Sequence, residues 1–394
     1  MSELPSTPDT LGVEPLFEPA HHEIAAGVAR FCAGELFDLP PAEGDEAARR
    51  QARQILATLG EAGWLGYAVP EEGRLDLRAC CLVREALAAA SPLADAVFAL
   101  QCLGSQPLLL AGPSEAARPW LEAARAGRAM AAFAMTEEAA GSDVSAMETR
   151  AVRDGDGWRL DGSKRYISNA GLADFYVVFA VTDRRPERPL LSCFLVPADS
   201  PGLAFAGPQV MSEPHPLGEI ELSACRLPAE ALVGEEGEGF ALGMKTLDRL
   251  RASVAAAACG MARRALDEAL AHARSRIQFG RPLARFQLVQ QKLAVMATEL
   301  DAARLLTYRA ALAADVGSDD LTRVSAMAKW YATETAQRVI DQSIQIHGGS
   351  GVMAASPVDR LYRAVRALRI YEGATEIQQL VVARELLRRD GAEG

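Results

Sequence analysis

The sequence predicts an α+β protein in three parts: an N-terminal helical domain, a middle antiparallel β-barrel or sandwich domain, and a C-terminal four-helix bundle. Three observations predict it. Apolar residues recur every three to four positions from about residue 18 to 127. Between about 130 and 235 the period falls to that of strands, with β-rich runs and no helical stretches between them. From about 240 onward long helical stripes return, joined by short Gly/Pro turns. The expected boundaries are a tail over 1–17, helices over 18–129, the β domain over 130–238 and the bundle over 239–394.

In the first part, Ile24, Val28, Phe31 and Cys32 share one helix face, as do Ile55, Leu59, Ala62 and Trp64. Gly63, Pro70, Gly73, Pro92 and Gly112-Pro113 punctuate them, giving expected helices near 20–36, 46–63, 78–90, 93–110 and 114–126. In the second part, Trp158–Leu160 alternates and Phe175–Val181 is one buried β-rich run; Leu191–Val196 and Ile220–Leu222 add two more strands. Asp154-Gly155-Asp156-Gly157 predicts a hairpin turn, because glycine takes positive φ without a Cβ clash. In the third part, one stripe runs through Leu247, Leu250, Val254, Ala258 and Met261, and a second through Val289, Leu293, Met296, Leu300 and Ala303. A weaker third stripe runs from Met327 to Ser343, and a last helix begins near Ile377.

Composition narrows the function. A net charge of −11 disfavours a nucleic-acid partner, since phosphate contacts need a basic surface. Apolar runs such as Ala252–Gly260 are too short for a membrane span, and Met1–Gly12 lacks the basic start and apolar stretch of a signal peptide, so a cytoplasmic location is expected. Seven cysteines without a CxxC pair argue against disulfides, and the five histidines show no metal-ligand spacing, so no metal is expected. GxGxxG is missing, since Gly237-Glu-Gly239 lacks the third glycine; so are the P-loop and GxSxG motifs.

Five blocks do carry chemistry. Ala134–Ala146 (AMTEEAAGSDVSA) ends a strand at Thr136, and Gly141 lets the backbone turn tightly toward a ligand. Asp161–Ala170 (DGSKRYISNA) places an aromatic in a strand, and Arg276–Leu283 (RIQFGRPL) leads into Phe286-Gln287. Gln345–Gly351 (QIHGGSG) has paired glycines for close backbone approach, and Arg369–Gln378 (RIYEGATEIQ) carries Glu372. In this order and spacing the blocks resemble the acyl-CoA dehydrogenase family, and weaker similarity at Leu59–Glu71 extends the resemblance over about 18–390.

The resemblance implies FAD-dependent α,β-dehydrogenation of an acyl-CoA thioester to the trans-2-enoyl-CoA. It makes Glu372 the base that removes the α-proton, with the β-hydride going to flavin N5 and the electrons then to an electron-transfer flavoprotein. It places Phe133, Met135, Thr136, Gly141, Ser142, Tyr166, Ile167 and Ser168 at the flavin. Arg276, Phe279, Leu283, Phe286 and Gln287 would reach a neighbouring subunit's FAD, as would Gln345, Gly348 and Gly349; Ala374 and Glu376 complete the expected cofactor contacts. Ser142, Asp248, Arg251, Tyr371 and Gly373 would meet the acyl-CoA, with Phe98, Ala99, Leu100 and Leu103 near the pocket floor. Contacts across subunits imply a homotetramer, a dimer of dimers.

Such chemistry needs a carboxylate whose burial makes it a stronger base, and donors at the thioester carbonyl to stabilise enolate character. Some branches of the family carry the base within a D-x-x-R segment; here that is Asp248–Arg251, and the corresponding Leu250 has no proton acceptor. The sequence also departs from the family pattern. Ala355 and Ala364 replace acidic or amide residues, Ala374 and Glu376 replace a common Thr and Gln, and Met211–Gly218 replaces a K-x-G-x-R-x-S segment. Transfer of electrons to oxygen, a carrier-protein thioester as substrate, and a binding module without turnover are the alternatives that share these motifs.

Overall fold

The structure, a computed structural model, describes residues 14–72, 74–185 and 188–389. Of the expected tail, Met1–Val13 lies outside the described residues, as does the punctuating Gly73. A short turn at Glu14–Leu16 is held by Arg78 Nη1, which donates to the Leu16 carbonyl at 3.0 Å, and Phe17 packs edge-on against Tyr308.

The helices are α1 (Pro19–Phe31), α2 (Asp45–Glu61), α3 (Leu77–Ala90), α4 (Pro92–Leu110), α5 (Arg118–Arg125), α6 (Gly239–Ser275), α7 (Gln287–Asp315), α8 (Leu321–His347), α9 (Pro357–Leu368) and α10 (Thr375–Arg389). The strands are β1 (Ala131–Ala134), β2 (Arg150–Asp154), β3 (Gly157–Ser168), β4 (Phe175–Asp183), β5 (Leu190–Pro197), β6 (Leu203–Pro208), β7 (Leu217–Leu227), β8 (Leu232–Val233) and the short pair β9 (Ile277–Gln278) and β10 (Arg281–Pro282). All three expected parts are present. The chain forms two compact units: Met1–Pro41, Asp76–Asp95 and Asp248–Gly394 make one, Ala42–Leu75 and Ala96–Leu247 the other.

The second unit is built on a sheet with strand order β6-β7-β3-β2-β4-β5-β8. The expected turn closes the β2–β3 hairpin with Asp154 opposite Gly157, and Gly155 has φ +61°. Pairing is antiparallel except along β4, where both β1 and β2 run parallel to it. That parallel pairing was not expected. β1 is four residues of Ala-Ala-Phe-Ala, too short to show a period, and its partner lies some forty residues onward. Trp158 and Phe194 meet edge-on at 5.1 Å in a core shared with Leu160, Val178 and Ile220. One buried ion pair orders the Ala134–Ala146 segment. Lys164 donates to Glu137 Oε1 at 2.6 Å, while Glu137 accepts from the backbone N–H groups of Glu148 and Thr149. Burial pushes Lys164 down to about 8 despite the attraction of Glu137.

In the first unit α8 packs against α7, α9 and α10, and α3 against α1 and α7. Helix α6 joins them: Ser343 Oγ donates to the Ala265 carbonyl at 2.7 Å. At Gly260, α6 touches the backbone of α3, and a Cβ there would lie 2.1 Å from the Glu85 carbonyl oxygen. Gly260→Ala is therefore expected to cost about 1–3 kcal/mol by forcing the helices apart, read as a lower midpoint in thermal unfolding.

Helix α4, with a mean hydropathy of 1.4, is long and apolar enough to cross a membrane by length and composition. Of that window 67% is buried inside the protein, which accounts for an all-round apolar helix.

Candidate active site

Glu372 sits in the loop between α9 and α10, and its backbone is strained. Its φ is +53° and that of Gly373 is +91°. Glycine takes this region freely, whereas a residue with a Cβ is held there at a cost of about 1–3 kcal/mol, a mark of functional sites. The surrounding bonds explain how the strain persists. Glu334 on α8 accepts from Arg369 at 2.8 Å and from Thr375 Oγ1 at 2.6 Å, closing the two ends of the loop on one carboxylate. Gln378, fully buried, donates to the carbonyls of Glu372 and Gly373 at 3.1 and 3.0 Å. Lys329, also fully buried, donates to the Gly373 carbonyl at 2.7 Å. A Cβ at Gly373 would fall 2.3 Å from Gln378 Nε2, so glycine is required twice over.

Glu372 Oε2 is screened from water and has no hydrogen-bond partner among the described residues. Burial raises its pKa above the usual carboxylate range. The charges of Arg84, Lys329 and Arg251 oppose that rise, and Asp95 adds to it. Two of these three cations have carboxylates of their own. Arg84 is bidentate to Asp95 at 2.8 and 2.9 Å and also donates to Ser253 Oγ. Arg251 pairs with Asp248, whose other oxygen accepts from Thr322 at 2.7 Å, and Arg251 Nε is buried without a partner. Thus Glu372, Tyr371, Gly373, Asp248 and Arg251 are brought together in the first unit. Ala374 and the exposed Glu376 flank them. Leu250 is buried on α6.

The same unit gathers another predicted group. Arg276, Ile277 and Phe279 follow the end of α6 and are exposed; Phe279 is 93% exposed with φ +51°. Leu283 N donates to the Arg276 carbonyl at 2.9 Å, Phe286 lies 6.2 Å from Phe279, and Gln287 opens α7. Gln345, Gly348 and Gly349 close α8, and the rings of His272 and His347, 4.4 Å apart, tie the two segments together.

In the second unit, Arg165 N donates to the Thr136 carbonyl at 3.0 Å, bringing the end of β1 to β3. Phe133 packs on Phe179, Met135 and Ile167 are buried, and Gly141 and Ser142 are exposed. Tyr166 stands at an irregularity in the β3–β7 ladder with φ +54° and is 56% exposed. Ser168 Oγ is bonded to His215 Nε2 at 2.8 Å. Burial, reinforced by Arg49, holds His215 down to about 4, so it is neutral near pH 7. Within the second unit, hydroxyls at Thr136, Ser142 and Ser168 and the exposed Tyr166 ring suit the polar edge and flat face of a flavin; taken by itself, the first unit offers the exposed Arg276 and Phe279, which suit a phosphate and an aromatic ring.

Sequence reasoning missed His215, although the unusual Met211–Gly218 segment pointed to the place. It also missed Arg84, Glu334 and Gln378. Lys329 carried a usable signal: one of only four lysines, in an Ala-rich helical stretch. Ala364 is buried in α9, where a polar residue would need a partner, while Ala355 is exposed. Among the described residues no His/Cys/Asp/Glu cluster is placed to hold a metal.

Comparison with known proteins matches three family models in chain order: acyl-CoA dehydrogenase N-terminal domain over 18–128, middle domain over 132–225 and C-terminal domain over 237–387. A protein of Mycobacterium tuberculosis named a probable acyl-CoA dehydrogenase, FadE25, is 38% identical over 378 residues, 94% of this chain and 96% of its own. A solved structure titled electron transferring flavoprotein of Acidaminococcus fermentans holds a chain that is 33% identical, with a TM-score of 0.87 over 94% of this chain and 99% of that one. An acyl-CoA dehydrogenase complexed with FAD from Bacillus anthracis is 28% identical, with a TM-score of 0.86 over 98% of this chain and 69% of that one. Three consecutive domain models and a relative matched from end to end leave one assignment: this chain belongs to the acyl-CoA dehydrogenases, FAD-dependent oxidoreductases.

Proposed function

We propose that the protein dehydrogenates an acyl-CoA thioester to its trans-2-enoyl-CoA, with Glu372 as the base. The observation that carries this reading is the Glu372 carboxylate oxygen, buried, unpartnered and held on a strained, braced loop. A bare oxygen of raised pKa can receive the α-proton without first breaking a protein hydrogen bond. Bound FAD supplies the acceptor for the β-hydride. Thr136, Ser142, Tyr166 and Ser168 would hold the flavin ring; Arg276, Phe279, Gln345 and the Gly348–Gly349 pair would hold the far end of a neighbouring subunit's FAD. That exchange supports a homotetramer, and the nearly bare Phe279 ring suits a position covered by another subunit. Asp248, Arg251, Tyr371 and Gly373 would position the thioester. An electron-transfer flavoprotein is the proposed acceptor. The seven cysteines are free and buried, which suits the reducing cytoplasm proposed as location.

Anaerobic titration of the purified protein with acyl-CoAs tests the reading through its visible flavin band. Bleaching by one group of esters is the expected result. A flavin that no CoA ester bleaches, but a carrier-protein thioester does, would replace the substrate; rapid reoxidation by air would replace the acceptor.

A further inference from the structure

We propose that Lys329 is a positioning residue for Glu372: its ammonium clamps the loop carbonyl next to the base and its charge favours the ionised carboxylate. The inference rests on the reading of Glu372 as base and adds a residue that the family motifs do not single out. Its first support is geometric. Lys329 lies mid-way along α8, fully buried, with Nζ 2.7 Å from the Gly373 carbonyl, one residue beyond Glu372. The second support is the charge inventory. Arg84 (α3) is paired with Asp95 at the start of α4, and Arg251 (α6) with Asp248. Lys329 forms no ion pair among the described residues, and its hydrogen bond goes to a neutral carbonyl. The remaining charges facing it are Arg251, Glu334, Glu376 and Glu372 itself, and Glu334 is engaged by Arg369. In a medium of low dielectric a charge without its own counter-ion acts most strongly on its nearest opposite.

Burial brings Lys329 down to about 8, with Glu372 opposing the fall. The ammonium is therefore mostly present at neutral pH and lost as pH rises through about 8. Its loss removes a cation that lowers the pKa of Glu372, so the carboxylate becomes harder to ionise. A proton placed on Glu372 during the reaction stays beside a group that can itself give one up, so the two titrate as a coupled pair.

The test compares Lys329→Gln and Lys329→Arg with the wild-type holoenzyme. Gln keeps a donor for the Gly373 carbonyl and removes the charge; Arg keeps the charge. The acid limb of the pH profile for anaerobic flavin bleaching is expected to move up by about one unit in Lys329→Gln. That corresponds to a roughly tenfold slower reduction below the limb, and Lys329→Arg should restore most of it. The infrared carboxylic-acid band that disappears in Glu372→Gln should titrate at correspondingly higher pH in Lys329→Gln. An unmoved limb and band in a folded, yellow Lys329→Gln protein, whatever its melting temperature, overturns the inference. Full turnover in Glu372→Gln sinks the base assignment instead, so the two failures are distinguishable.

Discussion

Glu372→Gln is expected to yield a folded, yellow protein whose flavin is bleached at least about a thousandfold more slowly by its substrate, within the range that a general base contributes. The amide has nearly the volume of the carboxylate but no site for a proton at neutral pH. Because the bonds to Glu334, Gln378 and Lys329 involve other side chains and main-chain carbonyls, the loop keeps its brace. The pH dependence follows from the sign of the shift. Burial raises Glu372 above its usual value, and only the ionised form accepts a proton, so reduction by substrate should rise with pH through a limb displaced upward from 4.5. For stability the same shift acts in reverse. The folded state holds this proton more tightly than the unfolded state, so the contribution is present at low pH and lost as pH rises through the folded value. The ionised carboxylate is then a burden on the fold, and Glu372→Gln should melt no lower than wild type. A mutant that still bleaches at the wild-type rate would remove Glu372 from the reaction.

Much of this was legible in the sequence, for identifiable reasons. Long helices announce themselves through repeated spacing, which is why the Leu247–Met261 stripe lies within α6 and Val289–Ala303 within α7. The Asp154–Gly157 turn is read from two glycines whose backbone freedom has few other uses. The five blocks pointed to the braced Glu372 loop and to the segments proposed to meet the flavin because tight turns and close approaches tolerate few residue types. What escaped is of another kind. The parallel partner of β1 is set by a crossover with no local pattern. His215 reaches Ser168 through a pairing across β3 and β7. Arg84, Lys329, Glu334 and Gln378 surround the loop from α3, α8 and α10, so only the assembled unit brings them to it. A charged residue on a helix normally faces water, and nothing local marks the few that face inward.

The electrostatic pattern around Glu372 has a logic of its own. A carboxylate buried without partners would stay protonated and useless, whereas one paired to a nearby cation would be too weak a base. Here two of the three nearby cations are largely neutralised by Asp95 and Asp248, leaving Glu372 influenced by them but bonded to neither. In the proposed reaction these ion pairs would condition Glu372 without touching the proton in transit.

Glu85→Ala should produce the largest loss of stability. Glu85 is completely buried beside Arg84 on α3, facing the opposite task. Its Oε1 accepts from Arg263 on α6 and from Arg304 on α7 at 2.9 Å, and its Oε2 from the Tyr308 hydroxyl at 2.5 Å, so one carboxylate ties three helices. Removing it leaves two buried guanidinium groups without their carboxylate and a tyrosine hydroxyl without its acceptor. Breaking one side of such a buried pair costs about 3–5 kcal/mol. With about 2–4 °C per kcal/mol, the melting temperature should fall by roughly ten degrees. Glu85→Gln keeps the shape and one acceptor and should fall between the two. If Glu85→Ala melts within a degree of wild type, water or rearranged side chains have replaced the carboxylate and the network is not what joins the helices. Neighbouring residues on a helix point about a quarter-turn or more apart, so α3 presents Arg84 to the Glu372 cluster and Glu85 to the bundle interior. Below its melting point the Glu85→Ala protein should therefore still be bleached by substrate, with its pH limb unmoved, which separates the residue that holds the helices from those that condition the base.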